Sequence, residues 1–129
     1  MATCLLDSGI VIDALNGKRG RKEALERLIR QGDDMASCSI TVTEVYAGLR
    51  PGEEAKTERL LRSLTFYPIT WEIAKQAGEL QNSWRAKGRT LALPDVTIAA
   101  VALVHHLVLI TANTEDFPMR ELQIHPLDG

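Results

Sequence analysis

Apolar positions along this chain follow two rhythms. Short unbroken runs bounded by turn residues occupy Thr3–Leu6, Met35–Ser39 and Leu107–Ile110, the pattern of strands buried on both faces. Phe66-Tyr67-Pro68 is a shorter run that proline ends, which suits a sheet edge, and Leu122–Pro126 supplies a last strand. Between these runs the spacing becomes helical. Ser8-Gly9 reads as a turn into a helix over Ile10–Leu15, and a second helix spans Lys22–Arg30, with Leu25, Leu28 and Ile29 on one face. Val42, Val45, Tyr46 and Leu49 share one side of a helix that opens at Ile40. Pro51-Gly52 breaks it, and Glu53–Leu64 groups Leu60, Leu61 and Leu64. These two helices predict an αα-hairpin with an apolar inner groove.

The longest helical pattern runs from Thr70 to Lys87, through Ile73, Ala77, Leu80 and Trp84, with Gly88 placed to stop it. Leu93-Pro94-Asp95 starts a further helix, Pro94 suiting its first turn, and Val96–Val104 is apolar nearly all round, as a helix buried between layers should be. Thr111–Phe117 is a polar loop off the end of the preceding strand. Strands alternating with helices imply one α/β domain over residues 1–129, a central parallel sheet with helices on both faces.

Composition narrows the class. Of 129 residues, 45% are hydrophobic and 25% charged, enough for a core without staples. Cys4 and Cys38 both sit in strand-like runs, so they read as buried free thiols rather than a disulfide or zinc site. With no signal-peptide pattern and no apolar stretch of spanning length, a cytoplasmic protein without a membrane role is expected. The net charge of −2 and pI near 5.9 lack the basic footprint of a nucleic-acid binder, an objection that bound cations would weaken.

Candidate chemistry lies in four carboxylates: Asp7, Glu44, Asp95 and Asp116. Each has an ordinary structural role open to it. Asp7 is placed to cap a helix, and Thr41-Val42-Thr43-Glu44 matches a capping box in which Glu44 folds back on the Thr41 amide. Asp95 lies where a helix dipole favours an anion, and Asp116 in Glu115-Asp116-Phe117-Pro118 suits a turn. All four, however, follow a strand or begin a helix, the rim at which a parallel sheet opens its crevice. Two carboxylates about 5 Å apart repel by about 3 kcal/mol at an effective dielectric of about 20, which a fold tolerates when a cation is the occupant. Oxygen donors without His or Cys suit Mg²⁺ or Mn²⁺, whose natural chemistry here is hydrolysis of a phosphodiester by activated water.

Leu-Leu-Asp-Ser near the N-terminus, Thr-Glu-Val, Pro-Asp-Val-Thr-Ile-Ala-Ala and Ile-Thr-Ala-Asn-Thr-Glu-Asp-Phe, in that order, resemble the PIN-domain ribonucleases, and most closely the VapC-like toxins of toxin–antitoxin pairs. The resemblance covers nearly the whole chain. It implies a PIN-like fold and an Mg²⁺- or Mn²⁺-dependent endoribonuclease acting on RNA, with Asp7, Glu44, Asp95 and Asp116 as catalytic and metal-binding residues. It implies Thr111 and Asn113 as polar support, Ser8 as the hydroxyl beside the first aspartate, and Glu115 as a competitor for the role of Asp116. Gly9 departs from the family, where a polar residue such as Asn often stands. The implied partner is a cognate antitoxin whose C-terminal segment occupies the groove of the Val42–Leu64 hairpin, within a homodimer or a toxin–antitoxin hetero-oligomer.

Other features weigh less. The basic loop Lys18–Lys22 offers either a grip on RNA phosphates or a solvated turn. Arg85, Lys87 and Arg89 read as charges favoured at a helix end, with substrate contact the alternative. His105 and His106 lie about 15 Å along a helix from Asp95 and read as structural, as does His125. Asp13 reads as a surface residue, and Trp71 and Trp84 as core or partner-contact residues. The competing function is a catalytically silent PIN-fold interaction module. Receiver and aspartate-phosphatase readings are disfavoured, because Gly9 stands where the phosphatase pattern wants a second aspartate and Ile110 is followed by Thr-Ala-Asn rather than lysine.

Overall fold

In the computed structural model, which describes residues 1–127, five parallel strands lie in the order β3-β2-β1-β4-β5. They are β1 (Thr3–Leu6), β2 (Asp34–Cys38), β3 (Thr65–Tyr67), β4 (Val108–Thr111) and β5 (Ile124–Pro126). The last two residues of the domain expected over 1–129 lie outside the described residues.

The chain adds β1, β2 and β3 outward in one direction, then returns to add β4 and β5 on the other side of β1. Strand order therefore reverses between β1 and β4, and crevices at such reversals open beyond the carboxyl ends of the strands. Side-chain alternation divides the interior in two. Leu5, Ala36, Cys38 and Leu109 face α5 (Trp71–Ala86) and α6 (Leu93–His105); Cys4, Leu6, Met35 and Ile110 face α1 (Ser8–Leu15), α2 (Arg21–Arg30), α3 (Ser39–Ala47) and α4 (Glu54–Ser63). The sheet is thus flanked on both faces, and Cys4 and Cys38 are buried free thiols on opposite sides of it. Leu5 and Leu6 are fully enclosed, each contributing about 1.5–3 kcal/mol by burial.

Helix α6 is buried along Val96 and Ile98–Ala102, as its all-round apolarity requires, and packs antiparallel against α5. Thr70 caps α5 by accepting from the Ile73 N–H at 3.3 Å. At the other end Gly88 adopts φ +93°, donating to Arg85 O while Arg89 N–H donates to Trp84 O, a Schellman ending.

Several boundaries differ from the sequence expectation. Ser8 and Gly9 form the first turn of α1 rather than a turn before it, because Asp7 itself is the N-cap. Ser39 begins α3 directly after β2, and Thr111 is the last residue of β4 rather than the first of a loop. α3 and α4 share one apolar cluster, Val42 and Val45 with Leu60 and Leu61, and both also rest on α1. Lys56 Nζ of α4 donates to Leu15 O at the end of α1 at 3.0 Å. Leu61 is core, whereas Tyr46 is 41% exposed.

Candidate functional site

Asp7 is the residue from which the site is built. It follows β1, its N–H donates to Ile110 O of β4 at 3.0 Å, and its carboxylate is held at both oxygens. Oδ1 accepts from the Ser8 N–H at 2.8 Å, and Oδ2 accepts from Thr111 Oγ1 at 2.8 Å. The capping role expected of Asp7 is thus real, and the same carboxylate still opens toward the crevice. Thr111 is fully buried, and its hydroxyl also accepts the Asn113 N–H at 3.0 Å. Asn113 therefore contributes through its backbone.

Glu44 reaches the site from α3. The capping box expected at Thr41–Glu44 is absent, because α3 starts two residues earlier and Thr41 lies inside it. Thr41 Oγ1, fully buried, instead donates to Leu6 O at 3.3 Å, fastening α3 to the end of β1. Glu44 Oε1 accepts from Ser8 Oγ. Ser8, only 7% exposed, consequently donates to two carboxylates, one through its main chain and one through its hydroxyl.

Asp95 stands in the first turn of α6, half-buried, and Asp116 ends a short 3-10 helix, Thr114–Asp116. Burial raises the Asp95 pKa to about 6, with the charges of Asp116, Asp7 and Glu44 adding to the effect. Burial also raises Asp7, against the lowering bonds from Thr111 and Ser8; Glu44 and Asp116 push it further up. The four acids thus share one electrostatic field. Glu115 is no contributor to either shift, and it is the Glu115 carbonyl, not its carboxylate, that engages Arg89.

None of the four carboxylates forms an ion pair among the described residues. Nor do any three His, Cys, Asp or Glu side chains there close into a ready-made ion cage. Mg²⁺ is bound through one or two carboxylates and keeps several waters, so oxygen donors need only face a common space. Oxygen donors alone, with the carboxyl pKa values of Asp7 and Asp95 raised, are the donor type that suits Mg²⁺ or Mn²⁺.

Gly9 leaves open space where a Cβ would stand, and its backbone needs no glycine. A side chain there is optional, so this departure from the family breaks nothing in the surroundings.

The weaker candidates resolve by position. Arg19 and Arg21 of the basic loop face Asp13 at 3.9 and 3.8 Å, and Arg21 is buried. Asp13 is thus a partner of a buried arginine rather than a plain surface residue. That loop follows the end of α1, about 12 Å along the helix from Asp7, and does not adjoin the four acids. His105 stacks on Tyr67 with ring centroids 4.5 Å apart. Trp84 packs on the core, whereas Trp71 is 74% exposed. A cavity of about 570 Å³ that the sequence did not lead us to expect is lined by Leu15, Leu25, Ile29, Met35, Leu60 and Leu64. It lies among α1, α2 and α4, away from the four acids. Its signal was the apolar face of α2, which continues past the core to Ile29.

Comparison with known proteins gives a consistent picture. Residues 4–121 match the PIN domain family model. The chain is 34% identical to Ribonuclease VapC10 of Mycobacterium tuberculosis over 122 residues, covering 95% of this chain and 90% of that one. Against Ribonuclease VapC19 of the same organism it is 32% identical over 115 residues, 89% and 92% of the two chains. Among solved structures, a toxin-antitoxin complex from Klebsiella pneumoniae superimposes with a TM-score of 0.80 at 32% identity, covering 98% of this chain and 99% of that one.

Proposed function

Because the chain belongs to the PIN-domain family, we propose that it is a metal-dependent endoribonuclease and the toxin of a toxin–antitoxin pair, with its nuclease domain over residues 1–129. Asp7, Glu44, Asp95 and Asp116 are its catalytic and metal-binding residues, and Mg²⁺ or Mn²⁺ its cofactor. One observation carries the assignment: four carboxylates from four separate elements share a field at the β1/β4 reversal, and none of them forms an ion pair among the described residues.

Asp7, Glu44, Asp95 and Asp116 would hold the divalent cation, which would supply Lewis acidity for hydrolysis of a phosphodiester by water and charge compensation at the leaving 3′ oxygen. The chain's own residues supply position. Thr111 and the Ser8 N–H hold the two oxygens of Asp7 in fixed directions, and the Ser8 hydroxyl sets Glu44 against it. Thr41 keeps α3, and hence Glu44, at a constant height above β1. Attack by water implies no covalent nucleophile, so inversion at phosphorus is expected.

The partner is a cognate antitoxin, in a toxin–antitoxin hetero-oligomer or alongside a homodimer, within the cytoplasm. No helix among the described residues is long and apolar enough to cross a membrane. The cavity among α1, α2 and α4 is a recess for an apolar helix face of such a partner, with Lys22, Glu26, Asp33 and Lys56 as its charged rim.

The test is cleavage of a dual-labelled single-stranded RNA by wild type and Asp7→Asn, each with Mg²⁺ and with EDTA. Cleavage by wild type in Mg²⁺ alone supports the proposal. RNA left intact in every arm makes the silent interaction module the better reading, and equal cleavage by both proteins removes Asp7 from the site.

A further inference from the structure

We infer that Arg89 is a phosphate-binding residue of this site, taking a backbone phosphate of the RNA strand beside the one that is cut. The inference rests on the endoribonuclease reading above and concerns how an acidic site admits a polyanion. The four carboxylates repel RNA, the whole chain is acidic, and Arg19 and Arg21 of the basic 18–22 loop face Asp13, away from the crevice. A cation at the rim itself is needed, and one that no carboxylate consumes.

Arg89 meets that description. It lies between the end of α5 and the start of α6, six residues before Asp95, and its Nη2 donates to the Glu115 carbonyl, one residue from Asp116. It therefore ties the segment that leads into α6 to the turn that carries Asp116. Its guanidinium is exposed and forms no ion pair among the described residues. One nitrogen engages a carbonyl, and the rest of the planar fork remains for an anion, the geometry that suits phosphate.

Its neighbours do not compete. Arg85 turns to Asn82 Oδ1, and Lys87 lies 4.6 Å over the Trp84 ring.

The segment is also built in advance. Gly88 at φ +93° sets the Schellman ending, whose bond from Arg89 N–H to Trp84 O fixes the main chain where the side chain begins. Gln81 Nε2 donates to Leu91 O at 2.8 Å and pins the segment from its far side. An arginine held at both its backbone and its guanidinium loses little further freedom on binding, so more of the contact appears as affinity.

The experiment separates RNA binding from cleavage. A fluorescein-labelled 12-nucleotide single-stranded RNA is titrated by anisotropy in Mg²⁺ at several salt concentrations. The protein is Asp7→Asn, with Arg89 retained or changed to Ala or Lys. MgCl₂ is titrated by calorimetry into wild type and Arg89→Ala. Arg89→Ala is expected to weaken RNA binding about tenfold and to lower the slope of log affinity against log salt by about 0.7. Arg89→Lys is expected to recover part of the loss, with Mg²⁺ affinity unchanged in Arg89→Ala.

Unaltered RNA affinity and salt slope in Arg89→Ala overturn the inference, as does an Asp7→Asn protein that binds no RNA. Loss of Mg²⁺ and RNA binding together also overturns it, making Arg89 a clamp on the Asp116 turn. Wild type that fails to cleave RNA, while Arg89 still governs RNA binding, sinks the nuclease reading and leaves this one standing. Wild type that cleaves while Arg89→Ala binds unchanged does the reverse.

Discussion

The hydroxyl of Thr111 donates to Oδ2 of Asp7 at 2.8 Å, joining residues 104 positions apart across the two strands between which the sheet order reverses. A buried hydroxyl at this junction does two things at once, since it also accepts the Asn113 N–H. Thr111→Val keeps the shape but leaves a carboxylate oxygen and an amide without their partner. We expect a loss of about 1–3 kcal/mol in urea unfolding and a fall in RNA cleavage of tenfold or more. Thr111→Ser should restore both. A Val variant as active as wild type would show that Asp7 needs no such orientation.

The pH dependence of stability follows from Asp95. Its folded pKa, about 6, lies above the ordinary carboxylate value of 3.8, so between these values the folded state binds more protons than the unfolded one. In EDTA, this group's contribution therefore falls as pH rises from about 4 to about 6 and is most unfavourable at neutral pH. Discounted for solvent screening of a half-buried group, the effect is about 1–2 kcal/mol. Asp95→Asn should be more stable than wild type by that amount in EDTA at pH 7. The gain should shrink or reverse in saturating Mg²⁺, because ion binding stabilises the folded wild type more. Thermal midpoints of both proteins in both conditions decide it; a variant less stable than wild type in EDTA makes Asp95 a structural residue of the α6 first turn.

Thr41→Val removes the bond to Leu6 O without changing side-chain volume much. The stability cost should be about 1–2 kcal/mol. Activity should fall further than that loss explains, since α3 carries Glu44. Thermal denaturation and cleavage rates at a temperature where both proteins are fully folded separate the two effects, and activity unchanged in folded Thr41→Val counts against this link.

Gly9 sits in the first turn of α1 with open space at its Cβ position. Gly9→Ala should raise stability by about 0.4–1 kcal/mol, mainly by restricting the unfolded chain, and should leave Mg²⁺ affinity alone. A drop in the unfolding midpoint would mean that this backbone does require glycine.

Ile29 is 53% exposed at the cavity among α1, α2 and α4, so Ile29→Glu should cost the fold less than about 0.5 kcal/mol. If the proposed antitoxin seats an apolar face there, the same change should weaken the co-expressed complex at least tenfold, read by dissociation in calorimetry or by recovered ribonuclease activity. A complex of undiminished affinity places the partner elsewhere.

The apolar rhythms determined much by themselves. Continuous runs such as Leu5–Leu6 and Leu109–Ile110 can be buried only with both faces covered, so strand type, parallel pairing and flanking helices followed from the order of residues alone. Asp7, Asp95 and Asp116 were legible because each stands at an element end, where strand runs stop and helices begin, whereas Glu44 lies in the second turn of α3. Which partner each polar group would choose was not legible. Thr41 and Glu44 carry the pattern of a cap, and a local bond was as good a use of them as any until α3 packed against β1. There the buried Leu6 carbonyl and the Ser8 hydroxyl needed satisfying, and long-range bonds replaced the local one. Asp13 took a buried arginine for the same reason, and of the adjacent pair it is the Asp116 charge, not that of Glu115, that acts on Asp7 and Asp95. Hydrophobic periodicity is a property of neighbours along the chain, whereas hydrogen-bond partners inside a protein are settled by which donors and acceptors lose water together, and only the packed tertiary structure decides that.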